Sequence, residues 1–135
     1  VDGISMLPTL EHGQRLIVEK VSYRFRDPGA GDIIVLNVPN AQYIKRVIAV
    51  GGDIIQARDG TVYVNGAPLD EPYVSAATYP NFGPLVVPEG QLWVMGDNRP
   101  RSNDSRGTVG FLDEKDVVGR AIFRYWPLTA IGLVN

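Results

Sequence analysis

Three short segments bring together residue types that can carry out acyl chemistry without a thiol or a metal. In Gly3-Ile4-Ser5-Met6-Leu7-Pro8-Thr9-Leu10, a serine stands two residues after a glycine and three before a Pro-Thr pair. That setting puts the hydroxyl at a strand-to-turn boundary where a carbonyl carbon can approach, although a plain turn serine or helix N-cap has the same local pattern. The second segment is Tyr43-Ile44-Lys45-Arg46-Val47-Ile48-Ala49-Val50-Gly51-Gly52-Asp53. Strand alternation there gives Lys45 one face with Tyr43, Val47 and Ala49, and gives Arg46 the other with Ile44, Ile48 and Val50. Apolar neighbours disfavour an ammonium, and about 3.3 kcal/mol of desolvation and neighbour effects makes a lysine half neutral near pH ~8. A lysine at a sheet edge can instead snorkel its charge to water.

The third segment, Met95-Gly96-Asp97-Asn98-Arg99-Pro100-Arg101-Ser102-Asn103-Asp104-Ser105-Arg106-Gly107, crowds hydroxyls, carboxylates and guanidiniums into one loop. Ser102 or Ser105 can hold a neutral lysine in position, and Asp104 with Arg106 can form an ion pair that fixes the loop. A solvated polar loop is the alternative reading.

The elements that must position these groups are short strands. Fifteen Gly and ten Pro punctuate stretches rich in Val, Ile and Tyr, a pattern that predicts a mainly β fold of compact antiparallel sheets with short helical turns. Strands are expected at Arg15–Val21, Asp32–Val38, Gln42–Val50, Asp53–Ala57, Thr61–Val64, Gln91–Met95 and Val118–Tyr125. Asp59-Gly60 and Asn65-Gly66 mark tight turns of a meander from Asp53 to about Leu69. Five prolines between Pro68 and Pro88 read as a loop or extended excursion, and Glu114–Val118 carries a weak helical signal.

At 135 residues the chain is long enough for one core, here divided as about 1–53 and 91–135 with a small β/loop excursion at about 54–90. With 44% hydrophobic residues, 21% charged residues and a net charge of -2, it has no global electrostatic reason to bind nucleic acid. Absence of cysteine removes thiolate catalysis and thiolate zinc sites, and a single histidine cannot build a histidine-based metal centre. No metal or cofactor is therefore expected. The basic and aromatic residues Lys20, Tyr23, Arg24, Phe25 and Arg26 read as a solvated face, and His12 as an exposed turn residue.

Together the three segments resemble the bacterial and organellar type I signal peptidases, whose pattern is Ser-Met-x-Pro-Thr, then Lys-Arg-Val, then Gly-Asp-Asn-Arg … Ser-x-Asp-Ser-Arg. All three occur in that order, and the likeness runs from Asp2 to about Trp126. Arg15-Leu16-Ile17-Val18-Glu19-Lys20-Val21-Ser22-Tyr23 and Phe123-Arg124-Tyr125-Trp126-Pro127 look most like the photosynthetic-membrane branch. The resemblance implies the mainly β serine-lysine peptidase fold shared with self-cleaving repressor domains. It implies Ser5 as nucleophile, Lys45 as general base, Ser102 as the hydroxyl that orients the lysine, and Asp104 with Arg106 as a supporting pair. It also implies an extended preprotein strand between Asp2, Gly3 and Ile4 on one side and Gln42, Tyr43 and Ile44 on the other, with Ile4, Met6, Leu10, Tyr43 and Ile44 lining shallow apolar pockets for an Ala-x-Ala site.

Two departures stand out. Gly3 occupies the position where some relatives carry a serine that helps hold the oxyanion, so the Ser5 N–H is expected to carry more of that task. Only Ile54–Gly90 separates the lysine segment from the late loop, where the family often inserts a large second domain. The resemblance further implies a membrane anchor ahead of Val1, a catalytic domain on the outer side (periplasmic, extracellular or thylakoid lumen), and a lipid surface as second partner. Met6, Leu7 and Leu10 are expected to dip into that interface, whereas Trp126 and Tyr125 are expected in the core. Two other readings compete: a self-cleaving repressor-type serine-lysine domain, whose cleavable Ala-Gly bond would have to precede Ser5 although Ala30-Gly31 follows it, and a catalytically silent β-barrel binding module. No oligomeric state is expected from these residues.

Overall fold

A computed structural model describes residues 1–135 and consists mainly of antiparallel strands. The strands are β1 (Arg15–Glu19), β2 (Ile33–Val38), β3 (Ala41–Val50), β4 (Ile54–Arg58), β5 (Thr61–Val64), β6 (Ala67–Pro68), β7 (Phe82–Val86), β8 (Gln91–Met95), β9 (Leu112–Asp113), β10 (Val117–Trp126) and β11 (Gly132–Leu133). They form a seven-stranded sheet in the order β1-β10-β2-β3-β8-β9, with β11 added to β10, and a four-stranded sheet in the order β6-β5-β4-β7. Asp59 and Gly60 turn β4 into β5 at φ 52° and 85°, and Asn65 and Gly66 turn β5 into β6 at φ 54° and 82°, the positive values that such turn residues tolerate.

Each expected strand is present with ends shifted by at most two residues, but β6, β7, β9 and β11 are additional. The proline-rich stretch hides β7. This strand lies at the edge of its sheet, where a missing N–H can face away from the ladder. Glu114–Asp116 is a single 3-10 turn capped by the Asp113 carboxylate, not an α-helix.

The core is three-part. Ile48, Ala49, Trp93 and Met95 of the large sheet meet Ile55, Val62 and Val87, with Trp93 held between Phe82 and Phe111 at 5.1 and 5.5 Å. A second cluster joins Ile34, Leu36, Val47, Leu92, Val94 and Leu112. The third packs Met6 and Leu10 of the first loop onto Ile33 and Ala121. Strict alternation along β3 fails because its pairing with β8 shifts between Val47 and Ala49. The bulge sends Ile48 and Ala49 together into the first cluster while Val47 and Val50 pack in the second, so Val47 and Ala49 do not share a side.

Two surface expectations are corrected by burial. Met6 and Leu10 are 2% and 0% exposed and belong to the core, so they are not free to dip into a lipid interface. Tyr125 and Trp126, expected inside, are 43% and 46% exposed. They sit where β10 outruns its neighbours: only β1 and β11 flank this end, and neither offers a second layer to cover it.

Candidate active site

Ser5 and Lys45 line one cavity of about 430 Å³. Asp2, Gly3, Ile4 and Met6 form one wall with Ser5. Gln42, Tyr43 and Ile44 form the other with Lys45, and Arg101 and Asn103 complete the rim. Leu10 is not on this surface. It faces the core, because the turn closed by the Leu10 N–H to the Met6 carbonyl at 2.9 Å folds it beneath the loop.

The β3 wall has an open edge. On one side Ala41–Arg46 pairs with β2 throughout, but on the other side β8 pairing begins only at Arg46 with Met95. Residues 41–45 therefore present an unpaired strand edge toward the first loop, suited to receive an extended peptide.

Lys45 is only 3% exposed, opposite Ile34 on β2. Burial pulls its amine down to about 8; the Asp104 carboxylate opposes that shift and the Arg106 guanidinium reinforces it. Its Nζ lies 5.3 Å from the centre of the Tyr43 ring. The Ser5 segment is held through its backbone. The Asn98 N–H donates to the Ser5 carbonyl at 2.9 Å, and the Asn98 side-chain amide donates to the Ile4 carbonyl at 3.0 Å. Gly3 has φ 86° and donates its N–H to His12 Nδ1 at 2.8 Å. The Ser5 N–H itself donates to no group in the chain, which leaves it free for a ligand oxygen.

Behind the pair lies a layer of fixed charges. Arg106 grips Asp104 through Nε and Nη2 at 2.9 and 2.7 Å. Burial pushes the Asp104 carboxyl up, but this fork, with donors from Ser102 and the Gly96 N–H, holds it below the usual carboxylate range. Ser102 Oγ donates to Asp104 at 2.7 Å and accepts the Gly96 N–H at 3.1 Å, so one lone pair remains for a lysine N–H. Ser105 cannot serve that purpose: its buried hydroxyl accepts the Val94 N–H at 2.8 Å and pins the loop to β8. Gly96 is required by close approach, since a Cβ there would press into Ser102 Oγ and lie 2.5 Å from the Ser5 carbonyl oxygen.

Residue-type reasoning missed a second layer. Arg46, on the same strand as Lys45, forks onto Asp97 at 2.9 and 2.8 Å, both buried, and the Thr9 hydroxyl donates to Asp97 at 2.5 Å. Tyr73 covers the Arg46 guanidinium at 3.8 Å and donates to Glu71. Glu71 in turn pairs with buried Arg99, which also reaches the Gly96 carbonyl and Thr78 at 2.9 Å each. The density of charge in the late loop was the available signal, but partners 51 and 88 residues apart carry no spacing rule.

The family described as signal peptidase, peptidase S26, matches residues 1–126. A probable signal peptidase I-1 of Synechocystis sp. is 46% identical over 95% of this chain, and a thylakoidal processing peptidase 1 of Arabidopsis thaliana is 39% identical over 94%. The chain spans 70% of the first and 41% of the second, so these relatives extend well beyond the matched region. The crystal structure of a signal peptidase I from Enterococcus faecalis superposes with a TM-score of 0.63 at 33% identity, covering 70% of this chain and 97% of that one. With a match of this extent and relatives this similar, the chain belongs to the signal peptidase family, peptidase S26, and is a hydrolase of the protease class.

Proposed function

We propose that residues 1–135 act as one peptidase catalytic domain that removes signal peptides from preproteins by serine-lysine acyl transfer, with no metal or cofactor. In this reading neutral Lys45 accepts the proton of Ser5 Oγ as the oxygen attacks the scissile carbonyl, and the unengaged Ser5 N–H receives the oxyanion. The ammonium then protonates the leaving amine, breaking the C–N bond, and water repeats the sequence in reverse roles to free the acyl group. Ser102 orients the lysine with its remaining lone pair, and Asp104 with Arg106 holds Ser102. The observation that carries the reading is an amine buried to a pKa of about 8 on the wall opposite a serine whose own N–H is free.

The substrate enters as an added strand along the open 41–45 edge, facing Asp2, Gly3 and Ile4. Alternate residues of such a strand point to the same side, so the first and third residues before the cut meet Ile4, Met6, Tyr43 and Ile44 together. A shallow wall of this kind suits alanine at both places. The domain works at a membrane, on its outer side. An apolar patch of Trp126, Leu128, Ile131 and Leu133, exposed at the end of the large sheet, supports a lipid surface as the second partner. No helix here is long and apolar enough to cross a membrane.

The test is hydrolysis of a fluorogenic peptide with an Ala-x-Ala site. Wild-type protein is expected to cleave it after the second alanine, and Ser5→Ala to lose at least about 10³-fold in kcat/KM. Equal rates for the two proteins would sink the assignment.

A further inference from the structure

Among the charged residues on the rim of the cavity, Arg101 is the one with nothing assigned to it. Asp2 pairs with His12 at 3.3 Å, and Lys45 is the amine described above. Arg101 is exposed, lines the same cavity as Ser5 and Lys45, and makes neither a hydrogen bond nor an ion pair through its side chain. Its backbone is fixed nonetheless. It ends the 3-10 turn Arg99–Arg101, with its N–H donated to the Asn98 carbonyl at 2.9 Å. Asn98 is also the residue that ties the Ser5 segment down, so the turn carrying Arg101 is registered to the reacting serine.

The neighbouring rim residue is already committed. Asn103 donates from its amide to Thr108 Oγ1 at 2.7 Å and accepts the Thr108 N–H at 3.2 Å. That leaves Arg101 as the free polar side chain at this end. The end in question is not the one used by residues before the cut, which run between Asp2–Ile4 and Gln42–Ile44. Arg101 precedes Ser102, and Ser102 together with the Ser5 carbonyl crowds the Cα of Gly96. The guanidinium therefore stands beyond the Ser5–Lys45 pair, where residues after the cleaved bond must leave.

We propose that Arg101 is a specificity-determining residue that selects preproteins with an acidic side chain within the first three residues after the cleavage site. The inference rests on the peptidase reading above and adds to it the charge of the leaving segment. A guanidinium forms a two-point contact with a carboxylate and repels a lysine or arginine at the same place. Because the rim is open to water, discrimination is modest and declines as salt rises.

The experiment uses Ala-x-Ala peptides that differ only at the first, second or third residue after the cut, carrying Glu, Gln or Lys, with a further set varied two residues before the alanine pair. Wild-type protein is expected to favour Glu over Lys by about 3- to 10-fold in kcat/KM at one of the three positions after the cut, and not in the upstream set. Arg101→Gln levels that preference and Arg101→Glu reverses it, while 0.5 M salt compresses the wild-type ratio. If wild-type protein cleaves the peptides but shows no such preference, or if Arg101→Gln keeps it, the role of Arg101 is overturned while the peptidase reading stands. If no peptide is cleaved by wild-type protein, or Ser5→Ala cleaves them equally well, the peptidase reading itself fails.

Discussion

The chemistry concentrates on a single amine. Lys45 is held neutral by what surrounds it, chiefly burial on β3, and Arg106 adds repulsion that Asp104 partly cancels. Two consequences are measurable. First, kcat/KM for peptide hydrolysis should climb with pH and level off with an inflection near 8, because the neutral amine is the reactive form. A flat profile between pH 6 and 10 would remove Lys45 from the base role. Second, the same environment makes the folded protein pay for an ammonium there. The folded-state value lies below the ordinary one, so the cost is complete below about 8 and lifts as pH rises toward 10.5. Lys45→Met should therefore abolish hydrolysis yet raise stability to urea at pH 7 by about 1–3 kcal/mol, with the gain vanishing near the ordinary lysine value. Serine 5 is positioned differently: its hydroxyl takes no part in the hydrogen bonding, and its carbonyl is what Asn98 holds.

Among elements, β3 does the most. Its first half offers an open edge, its middle carries Lys45 and Arg46 on opposite sides, and its bulge feeds two different cores. Arg46 reaches Asp97 just after β8, which in turn accepts Thr9 of the nucleophile loop, so three distant segments converge on one carboxylate. Removing that charge leaves a buried guanidinium unpaired. Asp97→Asn should cost about 3–5 kcal/mol in urea denaturation and lower kcat/KM with it, whereas Arg46→Met with Asp97→Leu should recover much of the stability. An Asp97→Asn protein as stable as wild type would show that the pair is dispensable. The small sheet takes part through its connection, since Glu71, Tyr73 and Thr78 lie between β6 and β7 and close the network on Arg99 and Arg46.

At the scale of the molecule, reacting groups and exposed apolar surface have separate supports. The three-part core sets the cavity, and the far end of β10 with the following turn leaves Trp126, Leu128, Ile131 and Leu133 uncovered. Such a patch on a peptidase of signal peptides, whose substrates are themselves apolar, fits an interfacial site. In flotation with vesicles of neutral and anionic lipid, part of the protein is expected in the lipid fraction, and Leu128→Glu with Ile131→Glu should return it to the aqueous fraction. Protein that stays wholly aqueous, or floats equally well with both glutamates, would discard the patch as a lipid contact.

Much of this was legible along the chain. Strands with β-branched and aromatic residues, turns at Asp59-Gly60 and Asn65-Gly66, and the order of the serine, lysine and late-loop segments all depend on local preference, which neighbouring residues suffice to express. Tertiary structure decided the rest. Whether Ser102 or Ser105 keeps a free lone pair, whether Leu10 faces a substrate or the core, where alternation on β3 breaks, and which arginine finds a carboxylate are set by packing between segments far apart in sequence. The physical reason is that burial and pairing energies depend on what lies across a strand or a sheet, and no spacing within one segment encodes the partner that the fold brings there.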